Sequence, residues 1–285
     1  MADRTYNAYL LKKVMIRFIF ALILQTFSFG LSFADQDISA AAYGFQFSVS
    51  SKLCTKIVTE VAPWQKMETA SDHPASLFPE HTYFKLAGPY FEYYETIRRK
   101  GLITFPPEVH FYTISAFEEV YAPEPKYIAK MKKDVARFKK LLSKRKPNPK
   151  YVQDTLFMAY PMGNISQTFL AQVHKVKFRS GEGIAFLTQL NIEPSPFRAE
   201  QLIYVFQGLS KDSKYLITAT FPIQPKKELS LEEKNQNFTE QYLNHPDAFL
   251  KYLERVGTKI DQISADSFTP SLRTLDKWIK SIDIL

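Results

Sequence analysis

Four strand-like segments follow one another at residues 172–178, 183–190, 201–207 and 215–221. No other feature constrains the fold as much. The longest gap between them is too short for the crossover that a parallel pair needs, so neighbours must pair antiparallel. Ser180-Gly181-Glu182-Gly183 and Ser210-Lys211-Asp212-Ser213 read as the turns, with the glycines expected where positive φ is required.

Further strands are expected upstream. Residues 43–49 (YGFQFSV) alternate with period two, and 56–62, 82–86 and 109–114 are short apolar or alternating runs. Pro63, Pro74 and Pro79 mark 63–80 as a loop, and Pro106-Pro107 forces an extended entry to the strand at Val109. Between the strands, 88–95 (GPYFEYYE) reads as an aromatic excursion that runs out at Gly101. Ile128, Met131, Val135, Phe138 and Leu142 share one face of a helix over 127–142, stopped by Pro147 and Pro149. Pro161-Met162-Gly163 reads as a loop. Phe249, Leu253, Val256, Ile260 and Ile263 make one closing helix. Leu272, Leu275, Ile279 and Ile282 make another, with Thr269 as its cap and Pro270 in its first turn. No fixed-period repeat points to a propeller or solenoid. The expected class is α+β: an antiparallel sheet, a meander in its second half, packed helices and two helices at the C-terminus.

The first 34 residues read as a signal peptide. Lys12, Lys13 and Arg17 precede an apolar run from Phe18, and Ser32 and Ala34 place small residues at the cleavage site. A retained anchor is the alternative, although a spanning helix wants about 20 apolar residues. Met15 is a second candidate start. The expectation is cleavage after Ala34, leaving a single domain over 35–285 that is periplasmic or secreted. That part holds 33 basic and 28 acidic residues, a mild excess that demands no polyanion. Cys54 is the only cysteine. An intramolecular disulfide and cysteine-rich metal or redox motifs are therefore excluded, and the core alone must hold the fold. Cys54 reads as a buried structural thiol.

Local motifs for nucleotide binding, nucleophile elbows and zinc proteases are missing, so no catalytic residue, metal or cofactor is assigned. His73, His81, His110, His174 and His245 have no partner at i+2, i+3 or i+4. A metal site would need His81, His110 and His174 to be assembled from separate strands. The strongest charge feature lies between Glu124 and Lys150, where eleven basic residues face two acidic ones. Lys132, Lys133, Lys139, Lys140, Lys144, Arg145 and Lys146 leave the apolar stripe free. They read as a solvated face or as a footprint for an anionic membrane surface or envelope polymer. Export argues against nucleic acid as the partner. Tyr90, Phe91, Tyr93 and Tyr94 read either as core cover or as a contact surface, since Tyr offers contact area at low entropic cost.

Three stretches resemble a family of exported bacterial proteins of unknown function. They are 178–189 (FRSGEGIAFLTQ), 204–209 with 215–222 (YVFQGL, YLITATFP), and 267–272 with Leu275-Asp276. A looser likeness is to PsbP/Mog1/DcrB-type domains, carried by Gly44-Phe45-Gln46-Phe47 and by 275–282 (LDKWIKSI). That likeness implies a non-enzymatic binding or assembly factor. The expectation is therefore a binding or assembly factor of the bacterial envelope, and the alternative is a hydrolase with a dispersed active site. A deep polar pocket joining a His to a carboxylate and a hydroxyl would favour the hydrolase.

Overall fold

The computed structural model describes residues 37–63, 78–144, 166–192, 195–227 and 245–285. The expected signal, the loop around Pro161, His73, Arg145 and Lys146 lie outside them. Residues Asp37–Leu285 form one compact unit.

The unit opens with a hairpin of β1 (Asp37–Ala42) and β2 (Phe45–Ser50). Tyr43 and Gly44 turn it, both at positive φ (52° and 81°). Such two-residue turns match the strand twist, and Tyr43 tolerates the position by remaining exposed. Next come β3 (Lys56–Ala62), β4 (His81–Ala87), helix α1 (Pro89–Arg99) and β5 (Glu108–Thr113). Helices α2 (Ile114–Val120) and α3 (Pro125–Ser143) follow. The short β6 (Ser166–Gln167) leads to β7 (Ala171–Phe178), β8 (Gly181–Thr188) and the short β9 (Leu190–Asn191). Then come β10 (Ile203–Ser210), β11 (Tyr215–Pro222) and the short β12 (Gln224–Pro225). The chain closes with α4 (Pro246–Asp261), β13 (Phe268–Thr269), α5 (Leu272–Lys280) and β14 (Asp283–Ile284).

The principal sheet has seven strands in the order β3-β4-β5-β11-β10-β8-β7, all antiparallel. The expected meander is its β7-β8-β10-β11 half. The other half is joined to it by β5 beside β11, and the fold class is α+β. A smaller sheet, β1-β2-β14, ties the N-terminal hairpin to the C-terminus.

The two faces of the large sheet are covered differently. The first carries Phe84, Val109, Phe111, Leu187, Tyr204, Phe206, Ile217 and Phe221, all buried. The hairpin, α4 and α5 lie over it. Phe47 of β2 meets Phe84 and Trp278 edge-on, at ring separations of 5.1 and 6.2 Å. On the second face, α2 and α3 bury Ile184, Phe186, Val205 and Leu216 with Phe117, Met131, Val135 and Phe138. Their cover ends there, and β4 and β5 carry polar groups beyond it.

Several local expectations are corrected. The aromatic excursion is helix α1, started by Pro89 in its first turn. Tyr90, Tyr93, Tyr94 and Ile97 are spaced for a helix face, and tertiary packing overrides aromatic β-propensity. Ile114 starts helix α2 and does not end a strand. Gly181 and Gly183 lie inside β8, and neither is at positive φ. They are glycine because a Cβ would meet the Leu209 and Gln207 carbonyl oxygens at 2.1 and 2.2 Å, so β8 and β10 approach too closely for a side chain. The cap of α5 is Ser271, which accepts from the Thr274 backbone N–H. Thr269 is instead paired with Gln224 in a two-stranded ladder.

Candidate functional site

Strand register concentrates the chemistry. On β4 the side chains of His81, Tyr83 and Lys85 share the second face, as do Glu108, His110 and Tyr112 on β5. The pairing sets Tyr83 opposite His110 and Lys85 opposite Glu108. On the edge strand β3, Glu60 stands opposite Tyr83, and Thr218 of β11 stands opposite His110. All of these groups except Glu60, which bonds Tyr83 and Lys85 at its edge, floor a cleft of about 420 Å³. Pro63, Phe78, Phe105 and Pro106 form apolar walls, and Tyr94 of α1 and Thr104 add hydroxyls.

The floor divides into two bonded groups. At the sheet edge, Lys85 donates to both Glu60 oxygens at 2.9 and 3.1 Å, and Tyr83 donates its phenol proton to Glu60 Oε2. The Tyr83 bond, then Lys85, hold the Glu60 carboxyl below the usual carboxylate range. Burial, then the bond to Glu60, raise the Tyr83 phenol. Burial opposes the charge on Lys85, but Glu60 outweighs it and the amine is raised. All three therefore hold their ordinary charges near neutral pH.

The second group is a relay of two imidazoles. His81 Nδ1 lies 2.9 Å from the Pro79 carbonyl, His81 Nε2 lies 3.1 Å from His110 Nδ1, and His110 Nε2 lies 3.1 Å from Glu108 Oε2. A carbonyl only accepts, so His81 Nδ1 carries a proton. Burial pushes His81 down to about 4, so its ring is neutral and Nε2 accepts from His110 Nδ1–H. One proton must then lie between His110 Nε2 and Glu108. The rings run nearly parallel: His110 is tilted 6° from Tyr83 and 5° from Tyr112. Tyr112 is buried and bonded to Thr218, and burial raises its phenol.

Every nitrogen of both rings thus has a partner inside the protein. A hydroxyl nucleophile needs an imidazole nitrogen that accepts its proton, and neither ring offers one. His174 is saturated in the same way on the opposite face. Its Nδ1 meets the Gln172 carbonyl at 2.6 Å, and its Nε2 meets the Asp276 carboxylate at 2.9 and 3.0 Å. Tyr204, wholly buried, donates to the same Asp276 at 2.9 Å. This cluster ties α5 to the sheet. His81 and His110 come together but His174 does not, and among the described residues no three metal-ligating side chains converge.

The expected site residues are scattered. Lys132, Lys133, Lys139, Lys140 and Lys144 are exposed on or just beyond α3, with Lys132 paired to Glu118 at 3.0 Å. Lys139 also rims a concavity of about 470 Å³ at the end of α3, beside Lys177, Glu182 and Lys211. The four aromatics of α1 do not form one surface. Tyr90 packs on Phe221, Tyr93 donates to the Glu200 carbonyl at 3.1 Å, Phe91 packs on Tyr94, and Tyr94 alone reaches the cleft. Glu60, Tyr83, Lys85 and Glu108 were not anticipated. Their signal lies in His81-x-Tyr83-x-Lys85 and Glu108-x-His110-x-Tyr112, two period-two rows that antiparallel pairing of β4 and β5 sets side by side. Compared with known proteins, the chain matches no family model and no curated protein sequence.

Proposed function

We propose that this protein is an exported, non-enzymatic binding protein of the bacterial envelope whose cleft on β4 and β5 holds a small ligand. One observation carries the reading: a polar floor lies in an open, apolar-walled cleft, yet every imidazole nitrogen on it is already bonded. Such a floor suits recognition of a ligand and offers no free imidazole as a base for hydrolysis. The rival, a hydrolase with a dispersed active site, draws on the His110–Glu108 pair and the nearby phenols. Among the described residues, the rings of His81, His110 and His174 leave it no free nitrogen to activate a nucleophile.

The lysine face of α3 supplies the second part of the reading, contact with an anionic membrane surface or envelope polymer. Among the described residues no helix is long and apolar enough to cross a membrane, so α3 would act at a surface. The sequence likeness of Gly44-Phe45-Gln46-Phe47 and of 275–282 to PsbP/Mog1/DcrB-type domains is a further reason for reading a binding or assembly factor. Export rests on the N-terminal sequence pattern.

The test is a screen of small molecules by NMR, read at the ring protons of His81 and His110. A binder should shift these two histidines and leave His174 unmoved. Turnover of any screened ester, amide or glycoside that is lost in His110→Gln would replace binding with catalysis.

A further inference from the structure

We infer that the ligand is a small monocarboxylic acid and that Glu60 occupies the ligand's carboxylate subsite in the free protein. The inference rests on the binding reading above and names the ligand class. Lys85 and Tyr83, two residues apart on β4, aim an ammonium and a phenol at one point, and both line the cleft. That point is filled by the Glu60 carboxylate, which takes both donors. Glu60 is rooted on the outermost strand, and its side chain is 40% exposed. It can swing into water without disturbing the sheet. Exposed ion pairs contribute little, so an incoming carboxylate displaces Glu60 at low cost and restores the same charge balance at Lys85. A neutral ligand gains nothing from that exchange.

Two groups narrow the class further. Thr104 Oγ1 is buried on the cleft wall and has no hydrogen-bond partner among the described residues. Buried hydroxyls are rarely left so, and a ligand oxygen is a partner that would satisfy this one. Lys85 is the other: its ammonium balances one carboxylate, that of Glu60, which suits a ligand with a single negative charge better than a phosphate or dicarboxylate. Phe78 and Phe105 suit an aromatic or branched body.

The experiment uses benzoate and its neutral isostere benzamide, titrated into the full chain by calorimetry and NMR. Benzoate should bind and shift His81 and His110. Glu60→Ala should bind benzoate about fivefold tighter, the factor expected when an exposed competing ion pair is removed. Lys85→Gln should weaken it at least tenfold, and Tyr83→Phe, which folds with one hydroxyl fewer, should weaken it by a smaller factor. Unchanged affinity in Glu60→Ala would overturn the inference. If benzamide matches benzoate while shifting the same histidines, the carboxylate inference fails and the cleft remains a binding site. If neither compound moves these resonances, the inference and the binding reading both fail.

Discussion

The first face of the large sheet and the polar half of the second are built by the same strands, one residue out of step. On β4, Thr82, Phe84 and Leu86 face the hairpin and α5, while His81, Tyr83 and Lys85 face the cleft. The first face is closed by the hairpin, α4 and α5, and its cluster of His174, Asp276 and Tyr204 is locked by direct bonds. On the second face α2 and α3 cover β8, β10 and β11 and reach Tyr112 of β5. Over the rest of β4 and β5 the described residues leave a cleft whose polar groups bond one another. The helix-covered parts of both faces hold the apolar core, and the polar half over β4 and β5 contributes little to it.

The largest expected effect tests that division. Phe47→Ala removes a ring seated between Phe84 and Trp278 and leaves a cavity where the hairpin docks. The cost should be about 3–5 kcal/mol by chemical denaturation. Glu60→Ala or Tyr83→Phe on the open face should cost about 1 kcal/mol or less. Equal losses on the two faces would break the comparison.

The histidines sharpen it through opposite pH slopes. Burial holds His81 at about 4, aided by His110 and opposed by the Pro79 carbonyl. The unfolded ring titrates near about 6.5. Its contribution is therefore whole above that pH and is lost as pH falls through the folded value, by on the order of 3 kcal/mol. Burial also opposes the charge on His174, but Asp276 outweighs it and the ring is raised. That contribution is whole below about 6.5 and fades as pH rises through the folded value. An NMR titration should show His174 still protonated at a pH where His81 is fully neutral. A His81 midpoint near about 6.5 would erase the contrast.

The smallest effect lies outside both faces. Replacing Lys132, Lys133, Lys139 and Lys140 together by Gln should change stability by no more than about 0.5 kcal/mol, because Lys and Gln have similar helix propensity and all four are exposed. Retention on anionic vesicles at low salt should fall. If wild type and variant are retained equally, the lysines serve solubility alone.

Much of the apolar core on both faces is legible in the sequence. The alternation of β2, the meander and the stripes of α3, α4 and α5 each report burial by period, since a buried face must repeat with its own backbone geometry. Cys54 is also readable as structural. It is fully buried, and burial pushes its thiol up to about 11. The glycines of β8 are not legible this way. Gly183 reads as a turn residue, and only the pairing with β10 reveals that it makes room for the Gln207 carbonyl.

The sequence by itself determined the α+β class, the absence of an intramolecular disulfide and the amphipathic basic helix. Each depends on composition or on residues near one another in the chain. Tertiary structure alone decided that His81 bonds His110, that His110 meets Glu108, that Glu60 bridges Tyr83 and Lys85, and that His174 belongs to the opposite face. These are cross-strand or cross-element contacts, apart from the His110–Glu108 pair. Their register follows from strand pairing over long sequence separations, and a shift of one residue would turn every polar group of the cleft into the core.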